Sequence, residues 1–334
     1  MLRVAMIGAG WVTRHHLPGW QALVPDVRIV GIADPSQLAR EGRAAEFAID
    51  ATFADAETML DTVKPDAVDI CSPRDFHAAH VRAAAARGIP ALCQKPLAPD
   101  YAQAEQLVRD VDGQTRLMVH ENWRFRPYYR HARELLQQGE VGNVRQVRMV
   151  LESSGLLPDP KGRMPGLDRQ PFIATLDRML VSEILIHHLD TLRFLQGPLR
   201  MVAANLGRST EAIRGEDRAT LVMRGSSGAS VLLIGDMAVH GAPPVLIDRL
   251  QVAGEKATLA LWEGTVTLAR GGAAPLSQSF DLARCYQQSY NSAIAHFVAA
   301  LRSDSPFESS PRDNLETLRL VEDAYAATAA QGTA

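Results

Sequence analysis

Two side chains in the sequence have the chemistry to handle a proton or a developing negative charge. Lys95 lies two residues after a short apolar run, Pro90 to Cys93. His187 is spaced four residues after Glu183 and three before Asp190, which places all three on one face of a helix. A lysine can stabilise negative charge on oxygen, and a histidine beside a carboxylate can accept or release a proton. A solvated ion pair and a solvated surface lysine are the alternatives.

A pair of glycines near the N-terminus could hold a phosphate group. The apolar run Val4 to Ile7 is typical of a strand buried on both faces, and Gly8 and Gly10 interrupt it. Gly8 permits a tight turn, and Gly10 lets a pyrophosphate approach the backbone. A helix that begins near Trp11 and Val12 would direct its free N–H groups at that phosphate.

Asp34 ends the next predicted strand, Arg28 to Ala33, about 20 positions beyond the glycines. A carboxylate at this spacing can bind a ribose 2′-OH and would repel a 2′-phosphate, which favours NAD. Arg40 could soften that preference, so NADP stays open. The alternative is an ordinary strand-to-helix turn with a capping aspartate.

The elements that would position these residues alternate between strand and helix over residues 1–121. Such alternation predicts a Rossmann domain with a doubly wound parallel sheet. Ligands of such sheets bind at the carboxyl ends of the strands. Gly8, Asp34, Ser72, Lys95 and Glu121 all lie at such ends.

Residues 122–334 have longer, alternating runs with glycine-containing turns, which predict an α+β domain with a large, mainly antiparallel open sheet. Its expected strands are Val144–Glu152, Met201–Gly207, Ala219–Met223, Ser230–Ile234, Arg249–Ala253 and Thr265–Leu268. The segment Leu180 to Gln196 is expected to be a helix, with His188 in its apolar stripe. The loop 153–171 carries Lys161, Arg163 and Arg169, and is either a binding loop or a solvated excursion.

Composition narrows the class of protein. The 334 residues include 46% apolar and 22% charged residues, as in soluble globular proteins, and a net charge of −3 argues against nucleic acid or anionic membrane as a partner. The N-terminus does not resemble a signal peptide, and the three cysteines show no disulfide or zinc pattern. We therefore expect a cytoplasmic protein without a metal; His77 and His80 are spaced for one, but an ordinary helix turn is favoured.

The block DAVDICSPRDFHAAHVRAAAARGIPALCQKPLA (Asp66 to Ala98), the segment Asn122-Trp123-Arg124-Phe125 and EILIHHLD (Glu183 to Asp190) together resemble the Gfo/Idh/MocA oxidoreductases. This resemblance implies that Lys95 contacts nicotinamide and substrate and that His187 is the acid/base. It also implies that Ser72, Pro73 and His77 line the cofactor.

Three residues depart from the pattern of that family. Gln94 replaces a glutamate, Glu183 replaces an aspartate, and Thr13 replaces the third glycine of the turn. Gln94 is also one of the residues expected to bind the cofactor. Gln94 and Glu183 keep the ability to form hydrogen bonds, so we expect altered properties and not loss of activity.

The expected reaction is reversible oxidation of a secondary alcohol on a sugar, glycoside or polyol, with the hydride passing to NAD. His187 would accept the hydroxyl proton, Lys95 would stabilise the alkoxide charge and Glu183 would orient His187. The expected substrate residues are Asn122, Trp123, Arg124, Tyr128, Arg163 and Asp190. The basic loop leaves an anionic sugar open.

Two other functions fit the same sequence. One is a non-catalytic regulator that senses NAD and a sugar, although such a protein need not keep both Lys95 and His187. The other is a carbonyl or imine reductase that uses NADPH. The family resemblance also implies a homodimer or homotetramer formed through the C-terminal sheet.

Overall fold

The apolar runs of the N-terminal region form a six-stranded parallel sheet in the computed structural model, which describes residues 1–331. Its strands are β1 (Leu2–Ile7), β2 (Val27–Ala33), β3 (Thr52–Phe53), β4 (Ala67–Ile70), β5 (Ala91–Gln94) and β6 (Leu117–His120). They lie in the order β3-β2-β1-β4-β5-β6, the order of a Rossmann fold. This confirms the predicted doubly wound sheet, to which the structure adds β3, too short for a sequence pattern to reveal.

Five helices connect these strands. They are α1 (Thr13–Gln21), α2 (Gln37–Phe47), α3 (Ala56–Val63), α4 (His77–Ala85) and α5 (Tyr101–Val111). Three of them begin at a polar residue whose side chain accepts a hydrogen bond from a backbone N–H three residues later: Ser36, Asp55 and Asp100. Such caps satisfy amides that the helix itself cannot pair. Short 3₁₀ turns, Arg74–Phe76 and Trp123–Phe125, follow β4 and β6.

Eight strands build the second sheet. They are β7 (Val144–Glu152), β8 (Leu199–Gly207), β9 (Arg218–Gly225), β10 (Ser230–Asp236), β11 (Ile247–Gly254), β12 (Thr258–Trp262), β13 (Thr265–Ala269) and β14 (Leu276–Ser279). Their order is β14-β13-β12-β11-β7-β10-β9-β8. The predicted, mainly antiparallel sheet is confirmed, with one parallel pair between β7 and β10. The sequence did not predict β12, which is short, or β14, whose side chains are all exposed.

The helices of this second region are α6 (Pro127–Gln137), α7 (Pro165–Arg169) and α8 (Ile186–Gln196), with a 3₁₀ turn at Pro171–Thr175. The single helix predicted over Leu180 to Gln196 is wrong in its first turns, because Leu180–Leu185 is π-helical and only the remainder is an α-helix. The buried carboxylate of Glu216 accepts hydrogen bonds from the backbone N–H groups of Met179 and Val181, at the start of this segment. These bonds satisfy amides that lie before the first helical partner.

Two long helices, α9 (Leu282–Ser303) and α10 (Pro311–Gln331), end the described chain. By internal contacts, Met1–Phe125 and Tyr286–Glu316 form one unit; Arg126–Cys285 and the described chain from Thr317 form the other. Most of α9 therefore belongs with the Rossmann sheet, where Ile294 and Phe297 join its buried core. A single boundary after residue 121 does not describe this division, because the apolar face of a distant helix completes the first core.

The three cysteines are free and buried. Burial raises the pKa of Cys71, Cys93 and Cys285, which keeps these thiols protonated and unreactive at neutral pH. No helix within residues 1–331 is both long enough and apolar enough to cross a lipid bilayer.

Candidate active site

The glycine turn after β1 has the geometry of a phosphate-binding turn. Gly8 has a φ of +101°, and a Cβ there would lie 2.6 Å from the backbone carbon of Cys71, so only glycine fits. A Cβ at Gly10 would meet no atom within 4 Å, so this side of the turn is open to a ligand. Trp11, half exposed, and Val12 lead from the turn into α1.

Asp34 is tied to the glycine turn by its carboxylate. One oxygen accepts a hydrogen bond from the backbone N–H of Ala9, and the other accepts one from that of Ser36, both at 2.8 Å. Arg40 donates to the backbone carbonyls of Asp34 and Pro35. The carboxylate thus lies where β2 ends, beside the turn, and these residues fit the ribose and pyrophosphate of NAD.

His77 connects the loops that follow β4 and β5. One ring nitrogen lies 2.8 Å from the backbone oxygen of Ser72, and the other lies 2.7 Å from that of Pro96. Burial is the main cause that lowers the pKa of His77; the charge of Lys95 lowers it further, and the two backbone contacts partly offset both effects. His77 therefore fixes Ser72 and Pro73 relative to the turn that carries Lys95. The hydroxyl of Ser72 also contacts Nδ1 of His80 at 2.9 Å.

Gln94, immediately before Lys95, is buried at the end of β5. Its amide oxygen accepts the backbone N–H of Lys95 at 3.1 Å, and its amide nitrogen lies 2.6 Å from Nε2 of His16. Nδ1 of His16 lies 2.7 Å from the carboxylate of Asp69, which also accepts the indole N–H of Trp20 at 2.6 Å. We name these four side chains, His16, Trp20, Asp69 and Gln94, the buried relay.

The residues that follow β6 contact the helices at the end of the first unit. Asn122 donates to the Ser289 hydroxyl at 2.8 Å. Arg124 is buried and forms an ion pair with Asp313 at 2.6 Å, so its charge is compensated within the unit. The half-buried ring of Trp123 packs edge-on against Tyr286.

In the second unit, His187 and Asp190 both lie in α8. Both are buried, His187 with 8% of its surface exposed and Asp190 with none. Asp190 accepts a hydrogen bond from the Thr317 hydroxyl at 3.1 Å, and Arg193 donates to the same hydroxyl at 2.8 Å. Glu183 lies in the π-helical segment, so the predicted continuous α-helical face does not extend to it.

His188 belongs to a buried charged cluster and not to an apolar stripe. Its Nε2 contacts Asp248 at 3.1 Å, and its Nδ1 contacts the backbone oxygen of Ile184 at 3.2 Å. Both ring nitrogens of His188 therefore face oxygen atoms. Asp248 also accepts the hydroxyls of Tyr128 and Tyr129 and pairs with Arg126.

Asp248 remains ionised in this cluster. Burial alone would raise its pKa, but the charges of His188 and Arg126, together with the hydrogen bonds, hold the pKa of the carboxyl well below its usual range. The hydroxyl of Tyr128, expected to line a sugar site, thus takes part in this cluster, and its side chain is 1% exposed. A sugar contact by Tyr128 stays a prediction.

The loop after β7 carries Arg163 on its surface. The guanidinium donates two hydrogen bonds to Asp159, at 2.9 and 3.1 Å. This pairing compensates the charge of Arg163, one of the three basic residues of the loop that suggested an anionic substrate.

Sequence reasoning missed Asp69, His16, Glu216 and Asp248. Only Asp69 gave a usable signal: a carboxylate inside a strand as apolar as Ala67–Ile70 must find a buried partner. The partners of the other three lie far away in the chain.

The possible ligand atoms of His16, Asp69 and Cys71 lie within 4.8 Å of one another. The Asp69 carboxylate already accepts hydrogen bonds, so we assign these three side chains a hydrogen-bonding role and not a metal-binding one.

Two family models match the chain. The model of the oxidoreductase family with an NAD-binding Rossmann fold, GFO_IDH_MocA, matches residues 2–121, and that of the GFO/IDH/MocA C-terminal domain matches residues 129–260. The chain is 32% identical to a D-apiose dehydrogenase of Paraburkholderia graminis, over 96% of this chain and 86% of that protein. It is 27% identical to an inositol 2-dehydrogenase of Rhizobium meliloti, over 98% and 97%.

A solved structure with a similar fold is an oxidoreductase from Agrobacterium radiobacter in complex with NAD⁺, L-tartaric acid and magnesium. It superimposes with a TM-score of 0.90 at 26% identity, over 98% of this chain and 96% of that one. The likeness therefore spans both the N-terminal and the C-terminal regions.

Proposed function

Since the chain belongs to the Gfo/Idh/MocA oxidoreductase family and has an NAD-binding Rossmann domain, we propose that it oxidises a secondary alcohol of a neutral sugar or polyol. The observation that supports this most directly is the shared edge of the first sheet. The glycine turn, Asp34, Ser72 and Lys95 all follow carboxyl ends of parallel strands, where ligands of such sheets bind.

The neutral class of substrate rests on two points. The relatives named above act on D-apiose and inositol, which are uncharged and polyhydroxylated. Two of the basic groups that could attract an anionic sugar form ion pairs within the protein: Arg163 pairs with Asp159 and Arg124 pairs with Asp313.

We assign distinct roles to three residues. His187 would accept the proton of the substrate hydroxyl, and Glu183 would orient its ring. The ammonium of Lys95 would stabilise the negative charge that develops on that oxygen. NAD, when bound, accepts the hydride, and Gly8, Gly10, Asp34 and Ser72 are the residues that would hold it.

A screen of alcohols with NAD and NADP in parallel tests the proposed activity. We expect NADH to form with D-apiose, inositols or neutral pyranoses, and little with glucuronate. We also expect NAD to be preferred, because Asp34 would repel a 2′-phosphate. Tight NAD binding without NADH formation across the panel would contradict the activity and favour a sensor, and a preference for NADPH with carbonyl substrates would favour a reductase.

Replacement of Lys95 tests its electrostatic role. We expect Lys95→Met to lower kcat about 10²- to 10³-fold, because a preorganised donor to the developing charge is lost. The matched control is Lys64→Met, which changes an exposed lysine of the same unit. Steady-state kinetics together with the Kd for NAD separates this effect from weaker cofactor binding; equal kcat in both variants would refute the role.

We further propose that the second sheet forms a homodimer or homotetramer. Apolar side chains occupy outward positions at two separate places in the sheet: Val222 on β9 is the register partner of Leu232 on β10, and Trp262 on β12 is half exposed beneath Arg249. Such a surface is a liability when uncovered. Light scattering should give two or four chains, and Val222→Lys should lower that number; a monomeric wild type would contradict the proposal.

A further inference from the structure

The buried relay ends at the backbone of Lys95. Its links run from the Asp69 carboxylate to His16, from His16 to Gln94, and from Gln94 to the Lys95 N–H, with separations of 2.7, 2.6 and 3.1 Å. Every side chain in it is buried, and His16 and Asp69 have no exposed surface. Buried polar chains of this kind are costly unless each group has its partner.

The backbone N–H of Lys95 identifies the donor and the acceptor of each hydrogen bond in the relay. A backbone N–H can only donate, so the atom of Gln94 that faces it must be the amide oxygen. The amide nitrogen, a donor, therefore faces Nε2 of His16, which must lack a proton. The remaining proton of a neutral imidazole is then on Nδ1, where Asp69 accepts it.

The groups around His16 agree with this assignment. The Asp69 carboxylate accepts the Trp20 indole N–H as well, and Gln94 also lies 3.2 Å from Nδ1 of His120, which can accept the second amide hydrogen. The titratable and charged groups that face His16 from the elements packed against it are Asp69 and Cys71 at β4, His120 on β6, Tyr290 on α9 and the neighbouring His15 on α1.

We propose that His16 is a positioning residue for Lys95. Its neutral Nδ1–H form, in which Nδ1 donates to Asp69 and Nε2 accepts from Gln94, holds the Gln94 amide in the orientation that accepts the Lys95 N–H. The position of Lys95 thus depends on a histidine 79 residues earlier in the chain. The catalytic consequence rests on the proposed function of Lys95, whereas the state of His16 does not.

Protonation of His16 would require the Gln94 side-chain amide to flip. An imidazolium donates from both nitrogens, so Gln94 would have to turn its oxygen towards His16 and its nitrogen towards the Lys95 N–H, where two donors would meet. A carboxylate at position 94 removes this conflict, because each of its oxygens can accept one of the two hydrogens. The substitution Gln94→Glu, almost unchanged in shape, should therefore favour the imidazolium that the wild type excludes.

Nitrogen-15 NMR of the histidine rings tests the relay without any substrate. At pH 7 we expect His16 to be the neutral Nδ1–H tautomer in the wild type and an imidazolium in Gln94→Glu. His16→Phe identifies its signals. An Nε2–H tautomer or an imidazolium in the wild type would overturn the proposal, as would an unchanged ring in a folded Gln94→Glu. If Gln94→Glu does not fold, the tautomer of His16 in the wild type still tests the proposal.

Kinetics test the link to Lys95. We expect His16→Phe to lower kcat about tenfold while the Kd for NAD changes less than twofold, and the acid limb of the kcat profile to move to lower pH in Gln94→Glu. The matched control, Gln21→Glu on the exposed end of α1, should keep the wild-type profile. Wild-type kcat in His16→Phe would overturn the positioning role. If the NMR result is as expected but Lys95→Met keeps the wild-type kcat, only the proposed function of Lys95 is refuted.

Discussion

His187→Ala should lower kcat about 10²- to 10⁴-fold while the Kd for NAD stays within twofold of the wild type. The range is the contribution typical of a positioned acid/base group. Cofactor binding should survive because the residues assigned to NAD belong to the other unit, with the glycine turn and Asp34. Stopped-flow or steady-state measurement of NADH formation, with NAD titrated by fluorescence, checks both parts.

The matched control is His131→Ala, which removes a partly exposed histidine of the same unit. That variant should keep kcat within about twofold. If the two variants have equal activity, His187 is not the acid/base. A parallel loss of NAD binding in His187→Ala would indicate a folding defect and not a chemical role.

Asp248→Ala should lower the free energy of unfolding by about 3–5 kcal/mol, the usual cost of leaving a buried charge without its partner. The variant removes the carboxylate on which His188, Arg126 and two tyrosine hydroxyls converge. Urea denaturation at pH 7, followed by circular dichroism, measures the change where unfolding is reversible.

The pH dependence of this effect follows from the lowered pKa of Asp248. A carboxyl whose pKa is lower in the folded state contributes stability above its unfolded pKa of about 4 and loses it as the pH falls through the folded value. The difference between wild type and Asp248→Ala should therefore shrink only at strongly acidic pH. Asp177→Ala, at an exposed position of the same unit, should change stability by less than about 0.5 kcal/mol.

Local sequence patterns predicted much of the fold. The first sheet and its helices were predictable because apolar runs, glycines and caps act within a few residues, as at Val4 to Gly10 and at Asp100. Long alternating strands such as β7 and β9 were predictable for the same reason. The short strands β3 and β14 were not, because their pairing depends on neighbours and not on their own residues.

The candidate site was predictable only where its residues follow a strand or a glycine turn. Lys95 and Asp34 have such positions, but the partners of His188 and Gln94 come from distant elements, Asp248 on β11 and His16 on α1. A helical repeat could not reveal the π-helical turns before α8 either. Distant residues contact these turns: the Glu216 carboxylate accepts the Val181 N–H, and Gly235 of β10 lies so close that a Cβ there would be 3.0 Å from the Leu185 side chain.

The return of α9 to the Rossmann sheet has a consequence for how the protein is made. Phe297 and Phe307 belong to the same core as Leu17 and Trp20, yet the ribosome adds them only after residues 126–285, which belong to the other unit, have been translated. The core of the nucleotide-binding unit therefore stays incomplete, with apolar side chains exposed, while residues 126–285 are synthesised. Fragments ending near residue 125 should need a chaperone or aggregate, since nothing in them can cover those side chains.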